Sequence, residues 1–82
     1  MDFLAHFQFS PENQATTAPL VPLERARIAE LREQGIVKAL YLSADMAHAW
    51  IVLHGESQEQ VQHGLESLPL YPYAQVTLTK LL

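Results

Sequence analysis

Three side chains of this sequence could perform acid–base chemistry near neutral pH. Glu24 lies close to the apolar stripe of a predicted helix, and partial burial there would raise the pKa of its carboxyl toward that of a useful base. The helix dipole alone also favours an acidic residue in a first helical turn, so a purely structural role stays open. His6 and His54 lie on predicted strands, and the unperturbed pKa of histidine is the one nearest neutrality. A structural or exposed histidine is the more common alternative.

Four aromatic side chains could line a small apolar pocket and supply hydroxyl or indole N–H donors. They are Tyr41, Trp50, Tyr71 and Tyr73. Filling of the core or of an interface is the alternative, and it is the preferred interpretation for Trp50. Arg27, on the first long predicted helix, could bind a carboxylate, although a solvated helical arginine is the commoner case.

The composition excludes several classes of site and partner. The 82 residues are enough for one domain, placed at residues 1–82, and the absence of cysteine excludes disulfides and thiolate metal sites. His48 is expected in a hairpin loop and His63 on a helix, both solvated, and no histidine pair has the spacing of metal ligands, so we expect no metal. The net charge of −4 makes nucleic acid and anionic membranes poor partners. No membrane span or basic leader is visible, so a cytoplasmic protein is expected.

Two helices are predicted from apolar periodicity and from their end signals. The first covers residues 20–34 and ends at Gly35, which can adopt a positive φ without steric cost. The second begins at Ser57, whose hydroxyl would cap the N–H of Gln60 while the Gln60 side chain reaches back. Pro69 ends this helix. Its core stripe is Val61, Leu65 and Leu68.

Strands are predicted where side chains alternate with period two or form short apolar runs. They cover residues 2–9, 36–42, 49–53 and 75–79, and the polar residues 10–17 are predicted to form a loop. The order is therefore β-α-β-β-α-β, which predicts an α+β ferredoxin-like sandwich, with an antiparallel sheet and both helices on one face.

Both faces of the predicted middle hairpin are apolar. Val37, Ala39 and Tyr41 are expected on one face of its first strand, and Ile36, Leu40 and Leu42 on the other. Leaving the face without helices in water would cost about 1.5–3 kcal/mol for each large side chain. We therefore expect a homodimer, or a higher even oligomer, in which two sheets pack face to face into one barrel; a different protein partner is the alternative.

The segment 68–73 (LPLYPY), placed between an amphipathic helix and the last strand, resembles the muconolactone isomerase family. The similarity extends over about residues 20–80 and implies a dimeric α+β barrel. The implied reaction is a cofactor-free proton shift in a small unsaturated lactone, of the kind used in aromatic catabolism. It makes Glu24 or His6 the base and Tyr41 a hydrogen-bond donor. Candidates for substrate binding are Arg27, Trp50, His54, Tyr71 and Tyr73.

One departure from the family concerns the second strand. The family's isomerases have His and Arg there, whereas residues 39–42 of this chain offer only the Tyr41 hydroxyl. Two alternatives to an isomerase therefore stand beside it. One is a non-catalytic module of the same fold that binds a small molecule or a protein in a cleft between sheet and helices. The other is a purely structural oligomer without a cleft.

Overall fold

Four antiparallel strands form one sheet in the computed structural model, which describes residues 1–82. The strands are β1 (Asp2–Phe9), β2 (Val37–Leu42), β3 (His48–His54) and β4 (Ala74–Lys80). Their order across the sheet is β2-β3-β1-β4, so β1 and β3 occupy the centre. This arrangement confirms the ferredoxin-like order predicted from the sequence.

Two long helices pack on the same face of the sheet. They are α2 (Val21–Glu33) and α3 (Gln58–Glu66), and the shorter α1 (Gln14–Thr17) precedes them. No helix has both the length and the apolar character required to cross a membrane. Between these helices and the sheet lies one apolar core, to which every second residue of the central strands contributes. Its main members are Phe3, Ala5, Phe7, Ile51, Leu53, Leu31, Val61 and Leu65.

The ends of the helices follow local chemistry. Gly35 has a φ of 78° and ends α2. Ser57 Oγ accepts a hydrogen bond from the Gln60 N–H at 3.2 Å, which confirms the predicted cap of α3. The Gln60 side chain, however, accepts from the N–H of Glu56 at 2.8 Å, one residue before the expected partner.

The predicted loop at residues 10–17 is wrong, because the chain there forms short helical turns. Pro11–Asn13 and Ala18–Leu20 are 3₁₀ turns on either side of α1, and they lead directly into α2. A proline is compatible with the first turn of a helix, where its missing N–H costs nothing; Pro11 is the first residue of one turn and Pro19 the second residue of the other.

An irregularity in β2 changes which face Val37 occupies. Val37 pairs with Leu53 and is buried in the core, whereas Ala39 pairs with Val52 and Tyr41 with Trp50. The register shifts between Val37 and Ala39, so the prediction that Val37 shares a face with Ala39 and Tyr41 is wrong. A bulge adds one residue to a strand and thereby reverses the alternation on one side of it.

The other face of the sheet, called here the open face, has no helix over it. Its central residues are Leu4, His6, Trp50 and Val52, and all four are partly exposed. Tyr41, at the edge of this face, is 62% exposed. The open face therefore combines apolar and aromatic side chains with a partly exposed histidine.

Candidate functional site

A cleft of about 360 Å³ lies on the helix side of the sheet. Phe7 and Ile51 from the central strands form part of its wall, and Val21 and Ile28 of α2 lie on another side. Met46, from the connection between β2 and β3, also lines it. Most of the lining is apolar, which is typical of a site for a small organic molecule.

Glu24 places a carboxyl group in this apolar cleft. The residue is only 7% exposed, and its Oε1 accepts a hydrogen bond from the Leu70 N–H at 3.1 Å. Burial raises the pKa of the Glu24 carboxyl above its ordinary value. The hydrogen bond from Leu70 lowers the pKa, but by less than burial raises it. A carboxyl of this kind can both accept and return a proton nearer neutral pH than an exposed glutamate.

The Leu70 amide is available to Glu24 because of how residues 68–73 fold. The N–H of Tyr71 donates to the Leu68 carbonyl, and the N–H of Tyr73 donates to the Leu70 carbonyl, both at 3.0 Å. Pro69 has no N–H, so Leu70 is the first residue after Leu68 that can donate one. The turn therefore uses the Leu70 carbonyl internally and leaves its N–H for the carboxyl on α2.

Two charged side chains accompany Glu24 around the cleft. Arg25 lines it and forms no ion pair, whereas Asp45 accepts hydrogen bonds from the Ser43 hydroxyl at 2.6 Å and the Ala47 N–H at 3.0 Å. These two hydrogen bonds lower the pKa of Asp45. Arg25 is therefore the cation available to an anionic group in the cleft.

Arg25 was not among the residues selected from the sequence, although its spacing contains a signal. Val21, Glu24, Arg25 and Ile28 follow one another at i, i+3, i+4 and i+7, which places them on one side of a helix. All four line the cleft. The pattern shows that Arg25 shares a face with Glu24, but not that this face borders a cavity.

Three of the predicted site residues lie across the sheet from Glu24. His6, Tyr41 and Trp50 belong to the open face, where the rings of His6 and Trp50 stack with centroids 5.3 Å apart. The sheet separates them from the cleft. The structure therefore does not bring Glu24 together with His6 or Tyr41.

Two further candidates are bound to neighbours outside the cleft. Arg27 Nε donates to Ser67 Oγ at 3.0 Å, and its guanidinium pairs with Glu30 at 3.0 Å. His54 Nδ1 lies 2.7 Å from the Asp2 carboxylate, at the end of the sheet. Each has a structural partner, and neither lines the cleft.

The two remaining tyrosines pack beside the turn at residues 68–73. The Tyr71 ring meets Phe7 edge to face, with centroids 6.4 Å apart, and its hydroxyl accepts a hydrogen bond from Gln62 Nε2 at 3.0 Å. Tyr73 lines a second, more polar depression with Gln8. The four aromatic residues grouped from the sequence therefore do not line one pocket.

The chain is therefore an α+β protein of the ferredoxin-like class, with a cleft between its sheet and its helices. The family model for muconolactone delta-isomerase matches residues 1–82, so the chain belongs to that family. No curated protein sequence matches it.

Several solved structures share the fold at low sequence identity. A 5-chloro-2-hydroxyhydroquinone dehydrochlorinase (TftG) from Burkholderia phenoliruptrix, in complex with 2,5-dihydroxybenzoquinone, is 16% identical with a TM-score of 0.83; the match covers 100% of this chain and 94% of that one. An antibiotic biosynthesis monooxygenase is 13% identical with a TM-score of 0.59, covering 100% and 99%. Rv0793 from Mycobacterium tuberculosis is 21% identical with a TM-score of 0.53, covering 99% and 93%. These similarities support the fold alone.

The raised pKa of Glu24 predicts a specific dependence of stability on pH. The folded chain binds this proton more tightly than the unfolded chain does. The resulting stabilisation is complete below the ordinary glutamate pKa and is lost as the pH rises through the raised pKa. Glu24→Gln keeps an oxygen for the Leu70 N–H and removes the charge. We expect the Tm of this variant relative to wild type to increase between about pH 4 and about pH 8.

Glu33→Gln is the matched control, because Glu33 is exposed on the same helix. Thermal unfolding followed by circular dichroism across this pH range provides the comparison. Parallel Tm profiles for wild type and Glu24→Gln would show that burial does not disfavour the charged carboxylate.

Proposed function

We propose that this protein is a cofactor-independent isomerase that shifts a proton within a small unsaturated lactone or enol, with Glu24 as the base. The observation that supports this most is the buried Glu24 carboxyl in a largely apolar cleft of about 360 Å³. The existence of this cleft also argues against a purely structural oligomer. Family membership supports the reaction class, in which a carbon–carbon double bond moves without redox change.

The proposed reaction has two proton transfers. Glu24 removes a proton from a carbon acidified by an adjacent carbonyl, and the electron pair of that C–H bond enters the conjugated system as a dienolate. The protonated carboxyl then returns the proton to a different carbon, and the double bond moves. Ser10 and Gln14 line the cleft and have polar groups that could donate to the dienolate oxygen.

Replacement of Glu24 tests the role of the base. With muconolactone as the substrate in D₂O, wild type is expected to isomerise it and exchange its acidic C–H for deuterium, both followed by NMR. Glu24→Gln should lose about 10²–10⁴-fold in turnover, because positioned proton transfer contributes an effect of that size. Glu33→Gln should retain wild-type turnover.

Two outcomes would contradict the proposal. Equal turnover in Glu24→Gln and wild type would exclude Glu24 as the base. If muconolactone or 2,5-dihydroxybenzoquinone raised the Tm of wild type without turnover or deuterium exchange, the non-catalytic binding module would be the correct interpretation.

Arg25 is proposed to bind the anionic group of the substrate in place of Arg27, the residue suggested by the sequence. We expect Arg25→Gln to raise the KM for muconolactone about tenfold or more, since a charge-assisted hydrogen bond contributes about 1.5–3 kcal/mol. Arg27→Gln is the matched control on the same helix and should leave KM unchanged. A larger effect of Arg27→Gln would reverse this assignment.

The open face supports a second proposal, that the chain forms a homodimer through it. Leu4, Trp50 and Val52 lie side by side on that face, and Tyr41 is 62% exposed beside them. No element of the chain covers these residues. Contact with the same face of a second copy would remove them from water.

Replacing Tyr41 by lysine should weaken the proposed dimer. Loss of a buried aromatic contact and burial of a charge should raise the dissociation constant about tenfold or more, measured by sedimentation equilibrium. Leu23→Lys is the control, because Leu23 is similarly exposed at 59% but lies on α2. A wild-type chain that is a stable monomer at micromolar concentration would overturn the dimer.

A further inference from the structure

Two histidines far apart in the sequence meet on the open face. His6 Nε2 lies 3.0 Å from His48 Nδ1, across 42 positions of the chain. His6 is on β1, His48 is the first residue of β3, and both are partly buried. His48 was expected in a solvated loop, but the pairing of Gln8 with His48 extends β3 to include it.

This separation suits a shared proton or a shared metal ion. A hydrogen bond between two imidazoles requires that one of the facing nitrogens has a free lone pair. Two nitrogens bound to one Zn²⁺ or similar ion at about 2.0–2.1 Å, at angles between square and tetrahedral, are about 2.9–3.4 Å apart. For both lone pairs to meet at one ion, each ring must turn about its Cβ–Cγ bond, a torsion with broad energy wells.

We propose that His6 and His48 form a binding site for a divalent transition-metal ion, with His6 Nε2 and His48 Nδ1 as its two protein ligands. Imidazole nitrogen is a ligand for Zn²⁺, Ni²⁺ and Cu²⁺, and Cu²⁺ binds most tightly of the three. Because His6 belongs to the open face, the remaining coordination positions face water in a single chain and the second copy in the proposed dimer. This site is independent of the proposed isomerase, because it lies across the sheet from Glu24.

The local charges favour this pair over the other histidine contact of the chain. His54 and Asp2 also lie close together, but the Lys38 ammonium is 3.5 Å from the same carboxylate and repels a cation. The Asp45 carboxylate, in contrast, lies near His48, because the Ser43 hydroxyl that donates to Asp45 Oδ1 at 2.6 Å accepts a hydrogen bond from the His48 N–H at 2.9 Å. A cation held by His6 and His48 is therefore attracted by a nearby carboxylate.

Trp50 provides a built-in reporter for the site. Its ring stacks with those of both histidines, with centroid distances of 5.3 Å to His6 and 5.8 Å to His48. It is also the sole tryptophan of the chain. A Cu²⁺ ion at this pair should quench its fluorescence at close range, whereas Zn²⁺, with a filled d shell, should compete without quenching.

The experiment is a fluorescence titration of the full chain with Cu²⁺. We expect saturable quenching that an excess of Zn²⁺ reverses and that weakens at acidic pH, because protons compete for both nitrogens. His6→Gln and His48→Gln should each weaken binding about tenfold or more, as loss of a ligand removes the chelate. His54→Gln and His63→Gln should bind as wild type does.

Several results would overturn the proposal. Quenching that does not saturate, or that is equal in wild type and both ligand variants, would indicate adventitious contact with the ion. Loss of binding in His54→Gln would place the ion at the Asp2 contact instead. If a ligand variant does not fold, as judged by circular dichroism, the Tm of wild type with and without Zn²⁺ replaces it as the test. A Tm that Zn²⁺ does not raise would contradict the site.

Discussion

The contact between the Glu24 carboxyl and the Leu70 N–H joins the two halves of the chain at the cleft. It connects α2 to the turn before β4, across 46 positions of the sequence. A buried carboxyl with no hydrogen-bond partner would cost several kcal/mol, so this donor makes the burial of Glu24 possible. No buried side-chain nitrogen or oxygen of the structure lacks a partner. The position of α2 over the sheet, and hence the shape of the cleft, therefore depends on the Leu70 N–H. This N–H is the first donor of the turn because Pro69 has none.

The two faces of the sheet offer different chemistry because strand residues alternate between them. On β1, Phe7 faces the core and the cleft, while His6 beside it faces the opposite side. A carboxyl of raised pKa lies on the helix side, and the histidine pair lies on the open side. A shift of one residue in the register of β1 would exchange the faces of Phe7 and His6, so the pairing of β1 with β3 determines that His6 meets His48 on the open face.

The sequence predicts most of the elements because their signals are local. Strand β1 follows from alternation within eight residues, and the start of α3 from a hydroxyl three residues before the N–H that it caps. The bulge near Val37 has no comparable signal, because it depends on how β2 pairs with β3. The candidate site is less predictable from the sequence than these elements are. Burial of Glu24 could be anticipated from its helix, but the helical turns that form one wall of the cleft, and the contact of His6 with His48, depend on long-range packing.

The cleft contains one buried carboxyl, and this limits the course of the proposed isomerisation. The other carboxylate at the cleft, Asp45, is exposed and has a lowered pKa, so it is a poor acid at neutral pH. In the proposed mechanism Glu24 therefore both removes the proton and returns it, which a raised pKa allows in one group. Since the Leu70 N–H holds the carboxyl on one side of the cleft, the proposed mechanism predicts that both transfers take place on the same face of the substrate. Arg25 is one residue further along α2. If Arg25 binds the anionic group of the substrate, it determines which face of the substrate is turned toward Glu24.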